Sequence, residues 1–258
     1  MGDAVTSVKP PTASGRAYRD VIYARYAEHT RVTGQTPEQY SYDRWAAATR
    51  WFLRDWLPHD RETPVLDLGC GAGYFLYLAQ KLGYRHLTGV DLNADQIAFA
   101  RQACADARIV HGDAMALLAE TPGHYGLITG FDLIEHFAKG DLFDLLNAIT
   151  AALAPGGTVV FQTPNAESPW GMKIRYGDFT HELAFSPQGL GSLLGLVGLD
   201  DYQARECGPY IHGVKSFVRF GLWRVLHDGL AFWNIVETGS PGSGIYTRVF
   251  VATARKRR

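Results

Sequence analysis

Apolar residues along the chain follow two patterns that alternate with each other. Short apolar runs, typical of buried strands, occur at residues 64–68, 86–91, 107–111, 126–131 and 157–163. Between these runs, apolar residues recur every three to four positions and predict helices at residues 73–82, 94–105, 114–120 and 140–153. Strands that alternate with helices in this way form an α/β domain, in which a parallel sheet has helices on both faces.

Different patterns precede this region. Residues 1–16 are polar and rich in Pro, Ser and Thr, which predicts a disordered tail. A helical pattern extends over residues 18–57 and is predicted to stop at Pro58.

The rhythm also changes after residue 163. Residues 164–187 contain three prolines, a tryptophan and several charges, which is typical of a long functional loop. A helix and two strands are predicted beyond it, at residues 187–197, 201–207 and 246–254. Four regions are therefore predicted. Residues 1–16 form a disordered tail, residues 17–60 the N-terminal helices, and residues 61–163 the core. Residues 164–258 contain the loop, a lid or amphipathic segment and the last two strands.

Composition restricts the class of protein. The 258 residues are 47% hydrophobic, enough for one substantial core, and the formal net charge of −1 gives no general attraction to nucleic acid. The scattered Cys70, Cys104 and Cys207 fit neither a disulfide framework nor a CxxC metal site, and they suit a reducing cytoplasm. No apolar run is long enough to predict a membrane span.

A glycine-rich turn follows the first predicted strand, in the segment VLDLGCGAG that begins at Val65. Glycines let the backbone approach a ligand closely and adopt positive φ angles, but dinucleotide-binding folds share such turns. Asp67 distinguishes a dinucleotide site from a site for an amino-acid cofactor, because it lies inside the strand, just before the turn. A carboxylate there would repel a pyrophosphate, whereas it can hold the ammonium group of an amino-acid cofactor.

Two further acids end the next two predicted strands. Asp91 is placed to bind both hydroxyls of a ribose, and Asp113 lies where an adenine amino group would be. Each acid alone is better explained as an ordinary helix N-cap or turn acid. Three acids at three successive strand ends, however, outline an adenosyl group with a cationic tail.

These motifs resemble those of the class I S-adenosylmethionine-dependent methyltransferases. The matching segments, over roughly residues 60–165, are VLDLGCGAGYF, VDLN, HGDA and LAPGGTVVFQTPN. The resemblance implies a Rossmann-like α/β fold with a seven-stranded, mostly parallel sheet whose last strand is antiparallel, and S-adenosylmethionine as cofactor. The residues predicted to bind that cofactor are Asp67, Gly69, Cys70, Gly71, Asp91, Leu92, Asp113, Ala114 and Phe131.

A second candidate site begins where the fourth predicted strand ends. The Asp-x-x-Glu-His spacing brings Asp132 within about one helical turn of Glu135 and His136, a set that could hold Mg²⁺ or Mn²⁺. A helix-start acid beside a structural histidine is the alternative explanation. If no metal binds, His136 or the more distant His181 could act as a general base.

This motif and the later segment GDFTHELAFSP resemble two metal-using branches of the family. These are the ubiquinone-biosynthesis O-methyltransferases and the small-RNA 3′-terminal 2′-O-methyltransferases. The resemblance implies metal ligation by Asp132, Glu135, His136 and His181, with His181, His136 and Glu135 as the candidate catalytic residues. Asp132 is one methylene shorter than the Glu of those families, so its contact with a metal could run through water.

The acceptor is expected to bind between the loop 164–187 and the basic, aromatic stretch 214–236. The C-terminal third loosely resembles bacterial methyltransferases of cell-surface polysaccharides and glycolipids, which implies a sugar hydroxyl on a glycan, glycolipid or nucleotide-linked sugar. A phenolic or quinone-precursor small molecule is the second candidate, and no nucleic acid partner is expected. The alternative of another class is a catalytically silent cofactor-binding subunit.

The stretch 214–236 fits three interpretations. Aromatic and basic side chains together could place it in a membrane interface, at the inner face of the membrane of a cytoplasmic protein. A lid helix that packs on the domain, or a dimer contact, is the favoured alternative. The sequence does not specify the oligomeric state.

Overall fold

The computed structural model describes residues 39–258. The predicted tail and the first part of the predicted N-terminal helix lie outside these residues. The strands are β1 (Val65–Leu68), β2 (Leu87–Asp91), β3 (Arg108–His111), β4 (Tyr125–Phe131), β5 (Leu153–Pro164), β6 (Leu199–Glu206) and β7 (Val249–Lys256). The helices are α1 (Gln39–Phe52), α2 (Tyr74–Lys81), α3 (Ala94–Ala103), α4 (Ala114–Glu120), α5 (Lys139–Ala152), α6 (Gly171–Arg175), α7 (Pro187–Leu196) and α8 (Val214–Thr238), and a 3₁₀ turn spans Ile134–His136.

All seven strands form one sheet in the order β3-β2-β1-β4-β5-β7-β6. The pairs from β3 to β5 are parallel, and β7 runs antiparallel to both of its neighbours. This confirms the predicted Rossmann-like sheet with an antiparallel last strand. The chain order reverses between β1 and β4, and ligands of such sheets bind beside the carboxyl ends of the strands at that point.

Two apolar layers cover the sheet. All four residues of β1 are buried, which explains why it is a continuous apolar run rather than an alternating one. On one face, Leu66 packs in a cluster with the leucines of α5; on the other, Val65 packs in a cluster with Phe75 of α2. The core therefore holds the ends of β1 and β4 rigidly side by side.

Some boundaries differ from the predicted ones. Helix α1 ends at Phe52 and not at residue 57, because the chain turns at Asp55, whose φ is 69°. Strand β7 begins at Val249 and not at residue 246. The Thr247 hydroxyl bonds the Val249 carbonyl at 2.7 Å and accepts from the Cys207 amide at 3.2 Å, which holds the preceding turn outside the sheet. The predicted loop 164–187 contains the short helix α6.

Helix α8 comprises 25 residues and includes the aromatic, basic stretch. A polar and aromatic stripe faces the domain: the Trp223 indole donates to Glu206 at 3.1 Å, and the His227 ring bonds the Gly244 carbonyl at 3.0 Å. Large apolar side chains cover its outer side and are exposed. Between residues 39 and 258, no helix combines the length and apolar character that crossing a membrane requires.

Candidate active site

The glycine-rich turn connects β1 to α2 and is shaped by backbone angles that only glycine adopts easily. Gly69 has a φ of +61°, and a Cβ there would lie 2.9 Å from the Leu133 Cδ1 atom. Gly71 has a φ of +51°, and its amide donates to the Asp91 carboxylate at 2.8 Å. The turn is therefore tied to the end of β2 and exposes its backbone to a ligand.

Asp67 is a buried carboxyl group beside this turn. The Thr129 hydroxyl, from the register partner of Asp67 on β4, donates to it at 2.7 Å. Burial raises the pKa of Asp67 to about 7, and the nearby Asp91 charge adds to the rise, while the Thr129 hydrogen bond opposes it. A cationic group bound here would favour the ionised carboxylate.

Asp91 ends β2 and is half-buried. Its Oδ1 accepts from the Asn93 amide and its Oδ2 from the Gly71 amide, both at 2.8 Å. Each carboxylate oxygen has a second lone pair, so the group can still accept bonds from ribose hydroxyls. The neighbouring Leu92 side chain is 66% exposed, which leaves an apolar surface beside the carboxylate.

Asp113 caps α4: its Oδ1 accepts from the Met115 amide at 2.9 Å, and the side chain is exposed. This is the N-cap role that the sequence left open, and the adenine contact stays a prediction. Ala114 begins α4 and is half-buried. Cys70 is buried, and burial raises the pKa of its thiol well above its usual range, while its contact with the cofactor stays a prediction.

Phe131 completes the predicted cofactor set at the end of β4. Its ring stacks on Phe75, with 5.4 Å between ring centres, and meets the edge of Trp45 at 5.1 Å. The nine predicted residues therefore lie at or just beyond the carboxyl ends of β1 to β4, the edge at which this fold binds ligands.

The structure brings together three of the four predicted metal ligands. Glu135, His136 and His181 offer ligand atoms that all lie within 4.8 Å of one another. Asp132 does not belong to this group. It has a φ of 50° and accepts from the Gln162 amide group with both carboxylate oxygens, each at 3.1 Å. Desolvation by the surrounding protein raises the pKa of Asp132, and the Gln162 hydrogen bonds oppose that rise.

The loop that carries His181 is fixed onto the 3₁₀ turn by its backbone. The amides of Glu182 and Leu183 both donate to the Glu135 carbonyl, at 2.8 and 2.9 Å. The Arg175 guanidinium donates to the carbonyl oxygens of His181 and Glu182. These contacts join two distant parts of the sequence in one site.

Hydrogen bonds orient both imidazoles. The His181 Nδ1 atom bonds the Ile174 carbonyl at 3.1 Å, so it must be the protonated nitrogen. Thr180 donates its hydroxyl proton to Asp178 at 2.6 Å, so its oxygen accepts from His136 Nδ1, 2.9 Å away. In the His181 ring the lone pair is then on Nε2. Burial, followed by the proximity of His181, lowers the pKa of His136, which favours the neutral, ligating form.

Glu135 is fully buried within this group. Its Oε2 accepts from the Thr163 hydroxyl at 3.1 Å, whereas Oε1 has no hydrogen-bond partner among residues 39–258. Burial raises the pKa of Glu135 to about 8, and the Asp132 charge adds to the rise. A buried oxygen without a partner is costly, and a bound cation beside it would offset that cost. The three residues thus fit a divalent cation.

A cleft of about 1310 Å³ lies beside the strand ends. Trp45 and Tyr74 form one part of its wall, and Cys207 another; the Cys207 thiol contacts Gln162, the residue that holds Asp132, at 3.9 Å. The loop 164–187 contributes Trp170, and α8 contributes Arg219 and Trp223, so both predicted elements line this cleft. Its use as the acceptor pocket stays a prediction. The cleft exceeds the roughly 300–1,000 Å³ of most ligand pockets, so it has room for a large acceptor.

Several residues of the site carry no recognisable signal in the sequence. Thr129 contacts Asp67 only because β1 and β4 pair in one particular register. Gln162 lies inside a motif that matched the family, yet its contact with Asp132 depends on the left-handed backbone at Asp132.

Comparisons with known proteins agree with this geometry. A family model described as a methyltransferase domain matches residues 38–204, well over half of the chain. A trans-aconitate 2-methyltransferase of Rhizobium meliloti is 34% identical over 189 residues, which cover 70% of this chain and 68% of that protein. A ubiquinone biosynthesis O-methyltransferase of Methylococcus capsulatus is 32% identical over 105 residues, covering 39% of this chain and 43% of that protein.

A crystal structure of an S-adenosylmethionine-dependent methyltransferase from Archaeoglobus fulgidus has the same fold, with a TM-score of 0.61 at 24% identity. It covers 82% of this chain, which covers 94% of it in return. The chain belongs to the class I S-adenosylmethionine-dependent methyltransferases. The matched part of the chain covers only 30% of a ribosomal protein L11 methyltransferase of Geobacter metallireducens and 43% of the Methylococcus capsulatus protein.

Proposed function

We propose that this protein transfers the methyl group of S-adenosylmethionine to a hydroxyl oxygen, assisted by a divalent cation that Glu135, His136 and His181 hold. The observation that carries the proposal is the buried Glu135 Oε1 atom without a partner, beside two imidazoles with ligand atoms within 4.8 Å. Carboxylate and imidazole ligands suit Mn²⁺ and, with added water or hydroxyl oxygens, Mg²⁺.

The cofactor supplies a methyl group on a positively charged sulfur. On the protein side, Asp67 holds the ammonium group, Asp91 accepts from the ribose hydroxyls, and the turn at Gly69 and Gly71 approaches the amino-acid part. These contacts fix the cofactor at the end of β4, next to the residues of the second site. Alignment of donor and acceptor is the main requirement of a methyl transfer.

When bound, a divalent cation lowers the pKa of a nearby hydroxyl and orients it. The Thr180–Asp178 pair and the Ile174 carbonyl fix the rings of His136 and His181, and such supporting contacts tune ligand strength. Asp132 adds negative charge close to Glu135. Without a cation, the neutral imidazole of His136 or His181 would accept the hydroxyl proton.

We propose a sugar hydroxyl as the acceptor, on a glycan, a glycolipid or a nucleotide-linked sugar. The size of the cleft and its aromatic wall support this class, since ring faces pack well on sugars. A phenolic or quinone-precursor acceptor is the second candidate, and the ubiquinone biosynthesis relative favours it. We place the protein in the cytoplasm, at the inner face of the membrane, with the apolar outer side of α8 towards lipid.

Mn²⁺ binding tests the proposed cation site without requiring turnover. Paramagnetic resonance should detect one bound Mn²⁺ in the wild type, and His181→Ala and Glu135→Gln should each weaken its binding about tenfold or more. His59→Ala, which changes an exposed histidine elsewhere, is the control. S-adenosylmethionine affinity should stay unchanged in all variants.

Activity on a panel of sugars and phenols then tests the chemistry. Turnover should stop in EDTA and return with Mg²⁺ or Mn²⁺. Full turnover in EDTA would contradict the proposed role of the cation. If His181→Ala then showed a large defect in turnover, His181 would act as a general base instead. Cofactor binding with no turnover on any hydroxyl would instead favour a silent cofactor-binding subunit.

A further inference from the structure

The cleft carries positive charge that the proposed function leaves unused. Arg44 of α1, Arg219 of α8 and Arg248, next to β7, all line it. Ion pairs between residues 39 and 258 involve other arginines and none of these three. The one carboxylate in the described lining is Asp43, which already binds the Lys81 ammonium group and, at 2.9 Å, the Tyr77 hydroxyl. Three arginines thus line the cleft, and none of them pairs with an acid in the part of the chain that the structure describes.

Aromatic rings stand among these arginines. The Arg248 guanidinium lies over the Trp170 ring, 5.8 Å from its centre. The Trp223 ring is fixed by its bond to Glu206, and Tyr210 lines the same wall. Flat rings beside guanidinium groups are suited to a ligand that combines an anion with a ring, because the rings stack and the guanidinium forks bind oxygens in pairs.

The number of arginines distinguishes between anions. A carboxylate has two oxygens, which one guanidinium fork satisfies. A diphosphate presents more oxygens and more charge, and can engage several forks at once. A polynucleotide would need positive charge along an extended path, whereas the chain has a formal net charge of −1 and these three arginines share one cleft.

We infer that the acceptor carries a phosphate or diphosphate group, which Arg44, Arg219 and Arg248 bind while the aromatic wall holds the adjoining ring. This inference rests on the proposed function and specifies its acceptor as a phosphate-linked sugar. The diphosphate of such an acceptor could connect the sugar to a soluble nucleoside or to a lipid, and the arginines would bind it in the same way in both cases.

Calorimetric titration with inorganic diphosphate and with uridine diphosphate tests the inference. EDTA and saturating S-adenosylhomocysteine are present, so the result depends neither on a metal nor on turnover. Each of Arg44→Gln, Arg219→Gln and Arg248→Gln should weaken binding about fivefold, as expected for a partly exposed charged hydrogen bond. Arg224→Gln is the matched control, because Arg224 lies on the same helix, pairs with Asp228 at 3.7 Å and does not line the cleft.

Two further titrations identify the source of the phosphate. Tighter binding of uridine diphosphate than of diphosphate supports a nucleotide-linked acceptor. Binding confined to phosphatidylcholine vesicles that contain a polyprenyl diphosphate supports a lipid-linked one. The inference is overturned if the arginine variants bind every probe as the wild type does, if Arg224→Gln loses as much affinity, or if a short single-stranded RNA binds at least tenfold tighter than any diphosphate. In each of these cases, Mn²⁺ binding at Glu135 would still report separately on the proposed function.

Discussion

Asp67 is required in its ionised form by the proposed cofactor contact, yet its surroundings favour the neutral form. Burial outweighs the Thr129 hydrogen bond and raises its pKa to about 7. Residues that bind a ligand often lower the stability of the protein when the ligand is absent. At this position the two effects can be measured separately.

We expect Asp67→Asn to stabilise the empty protein at pH 8 and to weaken cofactor binding. The folded pKa of about 7 lies well above the usual pKa of 3.8, so the cost of the charged form is absent below pH 4 and develops as the pH rises to about 7. Urea unfolding should show a gain on the order of 2 kcal/mol at pH 8 that shrinks towards pH 5. S-adenosylmethionine affinity should fall about tenfold, the effect of losing a charged hydrogen bond.

Asp144→Asn, an exposed change on α5, is the control and should alter neither quantity. A less stable Asp67→Asn protein at pH 8 would contradict the assigned origin of the raised pKa. In the wild type, cofactor affinity should also fall as the pH drops below 7, because binding must then displace the proton on Asp67.

The positions of single residues could be predicted where a motif fixes them locally, whereas their contacts with the cofactor stay predictions. Gly69, Asp67 and Asp91 lie where the strand–turn–helix pattern places them. The contact of Thr129 with Asp67 could not be predicted, because strand register is set by the whole sheet. Asp132 failed to join the metal group for a local reason: its left-handed backbone turns the carboxylate towards Gln162.

Helix α8 shows the same limit at the scale of an element. Its sequence carries aromatic and apolar residues on every side, so periodicity could not tell which side faces the domain. The structure turns the Trp223 and His227 stripe inwards and leaves Val225, Phe232 and Trp233 exposed by 72%, 68% and 68%. An exposed apolar face of this extent is typical of an interaction surface.

We expect this face to bind anionic membranes, since Lys215 and Arg224 add positive charge to an apolar helix surface. The protein should float with phosphatidylglycerol vesicles and not with phosphatidylcholine alone. Val225→Ser, Phe232→Ser and Trp233→Ser together should abolish flotation, whereas Trp51→Ser, an exposed tryptophan of α1, should not.

Light scattering tests whether a second copy of the protein, rather than lipid, binds the exposed face of α8. A wild-type dimer that becomes a monomer in the triple variant, without flotation of either protein, would show that a second copy and not lipid covers α8.

For the whole molecule, alternating patterns predicted the order of strands and helices between residues 64 and 163, whereas they missed the short helix α6 in the loop that follows. The antiparallel direction of β7 was predicted from the family resemblance and not from periodicity. The apolar pattern of a strand is the same whether it pairs parallel or antiparallel with its neighbour. The juxtaposition of His181 and Glu135 likewise needed the resemblance. In the structure it depends on the Glu182 and Leu183 amides and on Arg175, contacts that no spacing rule describes.

The reversal of β7 has a practical consequence for attaching the protein to a surface. Val249 pairs with Pro164 at the carboxyl end of β5, whereas Arg255 pairs with Thr158 near its amino end. The chain therefore leaves the sheet after β7 at the edge opposite the cleft. A biosensor chip that captures a tag added after Arg258 should present every cleft to the flowing solution. Surface plasmon resonance on such a chip should give the same S-adenosylmethionine affinity as calorimetry in solution, and a marked loss on the chip would contradict this orientation.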